Sequence, residues 1–264
     1  MILEKIAQST RKRVEEKKKE IPLPKIRALA EQTQGKGPFF FEKALSEGNP
    51  AFICEVKKAS PSKGIIAPEF PYLQIAREYE AAGAAAISCL TEPEFFLGRD
   101  QYLQEIARQV SIPVLRKDFT IDPYQIYEAK VLGADAVLLI CSLLNEAELK
   151  TYLELAGELG LSALVEAHDE EEVHAAINAG ARIIGVNNRN LKDFSVNAEN
   201  CLALRSQVPE GILFVAESGI RTAQDIEKLR KEKVDAVLIG ETLMRSPDKK
   251  KMLEELKGLK GQNP

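Results

Sequence analysis

From residue 51 onward the chain alternates short apolar runs with amphipathic stretches, and it does so eight times. The runs cover 51–57, 85–90, 114–119, 136–140, 163–168, 183–188, 213–217 and 236–240. Each is too short to be a helix and apolar on both faces, as a strand covered on both sides must be. The stretches between them have a 3.6-residue period and open on helix-start signals: Asp122-Pro123, Asp169 with Glu172, Thr222 with Asp225, and Ser246-Pro247. Helical crossovers between successive strands make those strands parallel.

Internal repetition points the same way. Ala82-Gly83-Ala84, Leu132-Gly133-Ala134 and Ala179-Gly180-Ala181 each precede a strand at intervals of roughly fifty residues, with Asp235-Ala236 as a degenerate fourth. A glycine there suits the left-handed turn that ends a helix. Eight βα units within about two hundred residues fit an α/β fold of (β/α)8 TIM-barrel type, with a doubly wound open sheet as the alternative. A dinucleotide-binding open sheet would want a glycine-rich turn after the first strand, where this chain has Lys57-Lys58-Ala59-Ser60-Pro61-Ser62-Lys63-Gly64.

Residues 1–48 stand outside the repeat. Ile2, Leu3 and Ile6, then Ile26 and Leu29, then Phe39, Phe40, Phe41 and Leu45 predict about three short helices broken by Pro22, Pro24 and Gly35-Lys36-Gly37-Pro38. They read as a helical extension that caps the barrel of 49–264 or covers its mouth. No linker-like composition splits the 264 residues further. The run from Arg11 to Glu20 mixes six cations with three glutamates and reads as a solvated helix face with i,i+4 pairs.

A net charge of −4 and a pI near 5.5 provide no broad positive field for nucleic acid. No apolar stretch approaches twenty residues, and Glu4, Lys5 and Arg11 interrupt any signal-like start, so no membrane contact and a cytoplasmic location are expected. Cys54, Cys89, Cys141 and Cys201 are far apart and read as small buried hydrophobes. His168 and His174 have no metal-ligand spacing, so no metal site is expected, and His168 reads as a hydrogen-bonded strand-end residue.

Side chains alternate across a strand, and one parity applied to all strands gives the inward sets Ile53/Glu55/Lys57, Leu115/Lys117/Phe119, Leu164/Glu166/His168, Gly185/Asn187/Arg189 and Val215/Glu217. They are apolar or small below and polar above. Charges facing the helices instead would be costly without partners, so the polar layer is the candidate site. Lys57 and Lys117 are expected to perturb each other, lowering a lysine pKa toward neutrality and making a general acid. Glu55 and Glu166 read as general base or counter-ion. Strands seven and eight end in Glu217-Ser218-Gly219-Ile220 and Ile239-Gly240-Glu241, small-residue turns at the place where barrels bind phosphate.

Five ordered motifs carry a resemblance. Ile53-Cys54-Glu55-Val56-Lys57-Lys58-Ala59-Ser60-Pro61-Ser62-Lys63-Gly64, Leu115-Arg116-Lys117-Asp118-Phe119, Leu164-Val165-Glu166-Ala167-His168, Gly185-Val186-Asn187-Asn188-Arg189-Asn190-Leu191 and Ala216-Glu217-Ser218-Gly219-Ile220 together resemble indole-3-glycerol-phosphate synthases, across essentially the whole chain. The resemblance implies a tryptophan-biosynthetic step: 1-(2-carboxyphenylamino)-1-deoxy-D-ribulose 5-phosphate becomes indole-3-glycerol phosphate, carbon dioxide and water.

It further implies Lys117 as general acid of ring closure, Lys57 as its assistant, Glu166 as acid/base of dehydration, Glu55 as the group orienting the lysines, and Asn187 as a substrate-positioning residue. Arg189 and Glu217 belong to the same layer. Ser60, Ser218, Gly219, Gly240 and Glu241 match phosphate-binding turns, Glu241 through its backbone N–H. Phe96 and Phe119 resemble the wall around the substrate's ring, with Leu138 and Leu191 as weaker members. No metal or organic cofactor is implied, the partner is a small phosphosugar, and a monomeric, single-function enzyme with no second barrel is expected. The alternatives are another phosphosugar-converting barrel, such as an isomerase, and a non-catalytic phosphosugar-binding barrel.

Overall fold

A computed structural model describes residues 2–190 and 194–258; Leu191 lies outside them. The extension forms α1 (Ile2–Glu20), α2 (Leu23–Gln32) and α3 (Phe40–Ser46). After them come β1 (Ala51–Val56), a small antiparallel hairpin of β2 (Ala59–Ser60) and β3 (Gly64–Ile65), α4 (Tyr72–Ala81), β4 (Ala86–Leu90), α5 (Asp100–Gln109), β5 (Val114–Lys117) and α6 (Pro123–Leu132). The chain continues through β6 (Ala136–Ile140), α7 (Glu146–Glu158), β7 (Ser162–Ala167), α8 (Glu170–Asn178), β8 (Ile183–Asn187), α9 (Asn200–Arg205), β9 (Leu213–Glu217), α10 (Ala223–Lys231), β10 (Ala236–Ile239), α11 (Glu241–Arg245) and α12 (Lys249–Leu256).

The eight long strands are parallel and close on themselves. β1 pairs with β4 on one side and with β10 on the other, which excludes the open-sheet alternative. The (β/α)8 barrel is therefore the fold. Several strands stop one or two residues short of the predicted runs, because Lys57, Asp118, Phe119 and His168 already belong to the loops that follow.

Strand parity sorts the core into two layers. Ile53, Leu115, Leu138, Leu164, Val215 and Leu238 fill the barrel interior, and Phe41 and Leu45 of α3 seal its lower end. The opposite parity, with Cys54, Val56, Ile87, Val137, Val165, Val186 and Phe214, packs under the outer helices. The four thiols are free; three are buried, whereas Cys141, just past the end of β6, is only half-buried, and burial raises each pKa, pushing Cys54 and Cys141 to about 12.

The repeated glycines sit where positive φ is needed: Gly83, Gly133 and Gly180 have φ of 76°, 88° and 89°. In the degenerate fourth repeat Lys233 takes that conformation, with φ 56°. Asp122, Asp169 and Thr222 cap α6, α8 and α10 by accepting from backbone N–H groups. The Ser246-Pro247 signal needs correction. Ser246 closes α11 and its hydroxyl donates to the Asp248 carbonyl, while Asp248 caps α12 by accepting from Lys251 N at 2.9 Å.

The extension departs from expectation twice. Its first helix spans nineteen residues and is not short, and its charged run is not simply a solvated face. Arg13 reaches Asp118 at 2.7 Å, Lys17 reaches Glu128 at 2.6 Å and also Asp100, and Lys18 reaches Asp122 at 2.7 Å. Only the far side, including Arg11, Lys12, Glu15, Glu16 and Lys19, is exposed, and its pairs are i,i+3. Val14 and Ile26 meet Tyr124 of α6 beneath this polar seam. Burying an aliphatic side chain of that size stabilises by about 1.5–3 kcal/mol. Among the described residues no helix is long and apolar enough to cross a membrane.

Candidate active site

The strand ends open into one cavity of about 370 Å³ at the C-terminal mouth of the barrel. Its walls include all fourteen predicted site residues at once: Glu55, Lys57, Ser60, Phe96, Lys117, Phe119, Glu166, Asn187, Arg189, Glu217, Ser218, Gly219, Gly240 and Glu241.

The polar floor is built strand by strand. Glu55 on β1 accepts from Lys57 Nζ at 2.5 Å. Lys117 at the end of β5 donates to Glu166 Oε2 on β7 at 3.3 Å and lies 3.8 Å from Glu217 Oε2 on β9. Asn187 on β8 helps hold the Glu166 carboxyl down, and its Oδ1 accepts from Arg189 N at 3.0 Å. Two glycines make room for these groups. A Cβ at Gly185 would collide with Glu217 Oε1, and one at Gly240 would sit 2.7 Å from Glu55 Oε1.

The charge balance corrects one expectation. Burial by itself pulls the Lys117 pKa down, but Glu166, Glu217 and Glu55 outweigh it and hold the ammonium above the ordinary lysine value. The nearest charges to Lys117 are carboxylates, so it is not depressed toward neutrality by Lys57. Burial raises the Glu166 pKa, yet Lys117 and His168 outweigh it and leave the carboxyl below its ordinary value. Glu217 goes the other way. Burial, reinforced by Glu166 and Glu55 against the pull of Lys117, pushes it up to about 8. Three carboxylates share this floor with two lysines, so a proton on Glu217 brings the set to neutrality.

Two residues behind the floor, Arg116 and Asp118, were given no role from the sequence. Arg116, which faces away from the cavity, is fully enclosed by Asp100 at 2.9 Å, Glu128 at 2.7 Å and the Gln125 carbonyl at 3.0 Å. Asp118 receives Arg13 from the extension and Thr91 Oγ1 at 2.6 Å. His168, the first residue after β7, is hydrogen-bonded as expected, to Glu172 at 3.0 Å, and its Nε2 also lies 3.5 Å from Glu166 Oε1. The spacing of His168 and Glu172, from a strand end to the first turn of a capped helix, was the available signal.

One end of the cavity is apolar. The Phe96 and Phe119 rings stand 5.9 Å apart at 41°, with Leu138, Ile140 and the extension's Ile2, Leu3 and Ile6 around them. The other end is made of turns. Ser218 and Gly219 both have positive φ, 66° and 81°, and the turn is pinned from outside by Asn188 on the Ser218 carbonyl and Thr242 on the Ile220 carbonyl. Gly240 leads into α11, and Ser60 faces the space from the hairpin. The Glu241 carboxylate is tied to Arg245 at 3.1 Å and Lys63 at 3.6 Å, two cations given no role from the sequence. Among the described residues no group of three or more His, Cys, Asp or Glu is arranged to hold a metal ion.

Comparison with known proteins places this geometry. The family model for indole-3-glycerol phosphate synthase matches residues 3–256. The indole-3-glycerol phosphate synthase of Ruminiclostridium cellulolyticum is 62% identical over 258 residues, covering 98% of this chain and 99% of its own. That of Lachnoclostridium phytofermentans is 53% identical, covering 98% and 100%. Among solved structures, 3-hexulose-6-phosphate synthase from Salmonella typhimurium superposes with a TM-score of 0.64 at 13% identity over 79% of this chain and 97% of its own, a likeness of fold alone. The chain belongs to the indole-3-glycerol phosphate synthase family.

Proposed function

We propose that this decarboxylating lyase of tryptophan biosynthesis binds 1-(2-carboxyphenylamino)-1-deoxy-D-ribulose 5-phosphate with its ring between Phe96 and Phe119 and its phosphate at the Ser218-Gly219 and Gly240-Glu241 turns. The observation that carries the reading is the Lys117–Glu166 pair, 3.3 Å apart on the floor between those two ends.

In ring closure the ring carbon bearing the carboxylate attacks the ribulose carbonyl, and Lys117 protonates the oxygen. An ammonium held above its ordinary pKa is a poor donor to a neutral carbonyl but a competent one to the alkoxide that develops as the bond forms. Lys57, fixed by Glu55, offsets the substrate carboxylate and assists the later loss of hydroxyl. Carbon dioxide leaves and returns its electron pair to the ring. Glu166, ionised and steadied by Asn187, takes the carbon-bound proton as the hydroxyl departs. Arg189 borders the substrate's hydroxyls, and neutral Glu217 donates a hydrogen bond without adding charge. These steps move protons and electron pairs only, so the chemistry calls for no metal or organic cofactor.

Phosphate is held by backbone N–H groups of Gly219, Gly240 and Glu241 and by the Ser60 and Ser218 hydroxyls. Lys63 and Arg245 supply positive charge while occupying the Glu241 carboxylate. A monomeric, cytoplasmic enzyme, with the extension of 1–48 packed on the barrel of 49–264, completes the proposal.

The test mixes purified protein with the carboxyphenylamino sugar in chelator-treated buffer and follows indole fluorescence. Stoichiometric indole-3-glycerol phosphate is expected. Folded protein that forms none would end the assignment.

A further inference from the structure

Both walls of the aromatic end of the cavity stand on loops. Phe119 follows the end of β5 by two residues, and Phe96 belongs to residues 91–99, which join β4 to α5 without helix or strand. Backbone N–H groups in such a segment have no ladder to pair with and must find partners elsewhere. Three consecutive ones, those of Glu94, Phe95 and Phe96, converge on a single side chain.

That side chain is Glu92, a residue only 1% exposed that does not line the cavity. Its Oε1 accepts from Glu94 N at 3.0 Å, and its Oε2 accepts from Phe95 N at 2.7 Å and from Phe96 N at 3.0 Å. The Glu92 carbonyl accepts from Gly98 N at 2.8 Å and closes the loop around Phe96. Gly98 backs so closely onto the end of β4 that a Cβ there would stand 2.4 Å from the Leu90 carbonyl oxygen. Between them Leu97 is held in the left-handed region, with φ 54°, a conformation that a leucine keeps only where its surroundings impose it.

Further bonds refer one wall to the other. Thr91 N donates to the Lys117 carbonyl at 3.2 Å and Thr91 Oγ1 donates to Asp118 Oδ2 at 2.6 Å, while Asp118 Oδ1 accepts from Phe119 N at 2.8 Å. Phe96 itself is only half-buried, so its backbone anchor, more than its packing, fixes where the ring stands relative to Phe119.

We propose that Glu92 is a positioning residue for the substrate's aromatic ring, acting through the three N–H groups that set the Phe96 ring opposite Phe119. The proposal rests on the reading of this end of the cavity as the ring site. A carboxylate suits the task because it offers acceptors only, and its two oxygens serve all three donors. An amide of the same shape turns its own NH2 group toward one or more of those donors. In Glu92→Gln the loop therefore relaxes and Phe96 draws away from the bound ring, while the phosphate turns at the opposite end of the cavity keep their geometry.

The experiment measures kcat, KM and competitive inhibition by two probes, 2-aminobenzoate for the ring end and inorganic phosphate for the other, in the full chain. The variants are Glu92→Gln, Phe96→Ala and the two combined. In Glu92→Gln the inhibition constant of 2-aminobenzoate and the KM rise roughly 5- to 10-fold, as loss of an aromatic contact does, with kcat changed less and the phosphate constant within about twofold of wild type. Phe96→Ala weakens 2-aminobenzoate by a similar factor, and Glu92→Gln added to it weakens it no further, because a residue acting through Phe96 has nothing left to position. Glu92→Asp, with both acceptors on a side chain one methylene shorter, gives a smaller rise in the same constant and serves if the glutamine variant does not fold. An unchanged 2-aminobenzoate constant in the Glu92 variants overturns the proposal. So does equal weakening of both probes, the mark of a merely structural role, and so does a further loss on top of Phe96→Ala. If Phe96→Ala alone leaves 2-aminobenzoate binding at the wild-type level, the reading of this end as the ring site fails, and the proposal with it.

Discussion

Arg13 Nη2, on the extension's first helix, lies 2.7 Å from Asp118 Oδ1, the residue next to Lys117. The extension is thus bound to the barrel at the back of the catalytic floor, through a carboxylate whose side chain is 1% exposed.

Removing that arginine leaves a buried charge with Arg116 as its remaining cationic neighbour. Arg13→Ala should lower stability by about 3 kcal/mol, read by urea unfolding at neutral pH, as breaking one side of a buried pair does. Burial raises the Asp118 carboxyl, but Arg13 and Arg116 outweigh it and hold it near 2. The unfolded chain binds that proton at about pH 3.9, so the contribution of about 2–3 kcal/mol is complete above that pH and is lost as pH falls through about 2. The variant should show a weaker acid dependence over this window; an unchanged one would remove Arg13 from the account.

Lys117→Ala and Glu166→Gln should each reduce kcat by about 10²-fold or more with small changes in KM, since a positioned acid or base acts mainly in the transition state. Continuous indole fluorescence measures both. Wild-type kinetics in Lys117→Ala would take it out of the reaction.

Glu217 titrates near 8 in the folded protein against about 4.3 unfolded. Between these values the folded state keeps a proton that the unfolded state has lost. Stability should therefore fall as pH rises across that interval and level off above it. Glu217→Gln is always neutral and should lack this component. Urea midpoints at pH 5, 7 and 9 for both proteins decide the matter, and parallel curves would contradict the assignment.

Gly240 has ordinary backbone geometry, with φ −117°, yet a Cβ there would stand 2.7 Å from Glu55 Oε1 and 3.0 Å from Lys57 Nζ. Both atoms end flexible side chains, so Gly240→Ala should fold and melt close to wild type. Displacing the Glu55–Lys57 pair should cost about tenfold in kcat/KM. Unaltered kinetics would mean that the pair's position is not critical.

The barrel was readable because its rules are local. Parity alone separated Ile53, Glu55 and Lys57 from Cys54 and Val56, and Asp122, Asp169 and Thr222 cap helices through residues two or three positions away. The Ser246-Pro247 start signal fell two residues short, because Ser246 closes α11 and it is Asp248, beyond the proline, that caps α12. The extension's docking was hidden for the opposite reason. Arg13, Lys17 and Lys18 find partners about a hundred residues away, while their own helix offers nearby glutamates that account for them equally well. The lysine's protonation was misjudged because alternation names the groups that share a layer without giving the distances among them.

Arg116, Lys117 and Asp118 are consecutive, and alternation sends the middle one into the cavity and the outer two toward the shell. Three adjacent codons thus answer to two unrelated demands. Saturating all three should sort variants into two classes: damage at 117 would spare yield and abolish turnover, and damage at 116 or 118 would first deplete the amount of protein recovered. Within this triplet a change in the reaction would act through position 117, while its neighbours stay tied to the shell and to Arg13 of the extension.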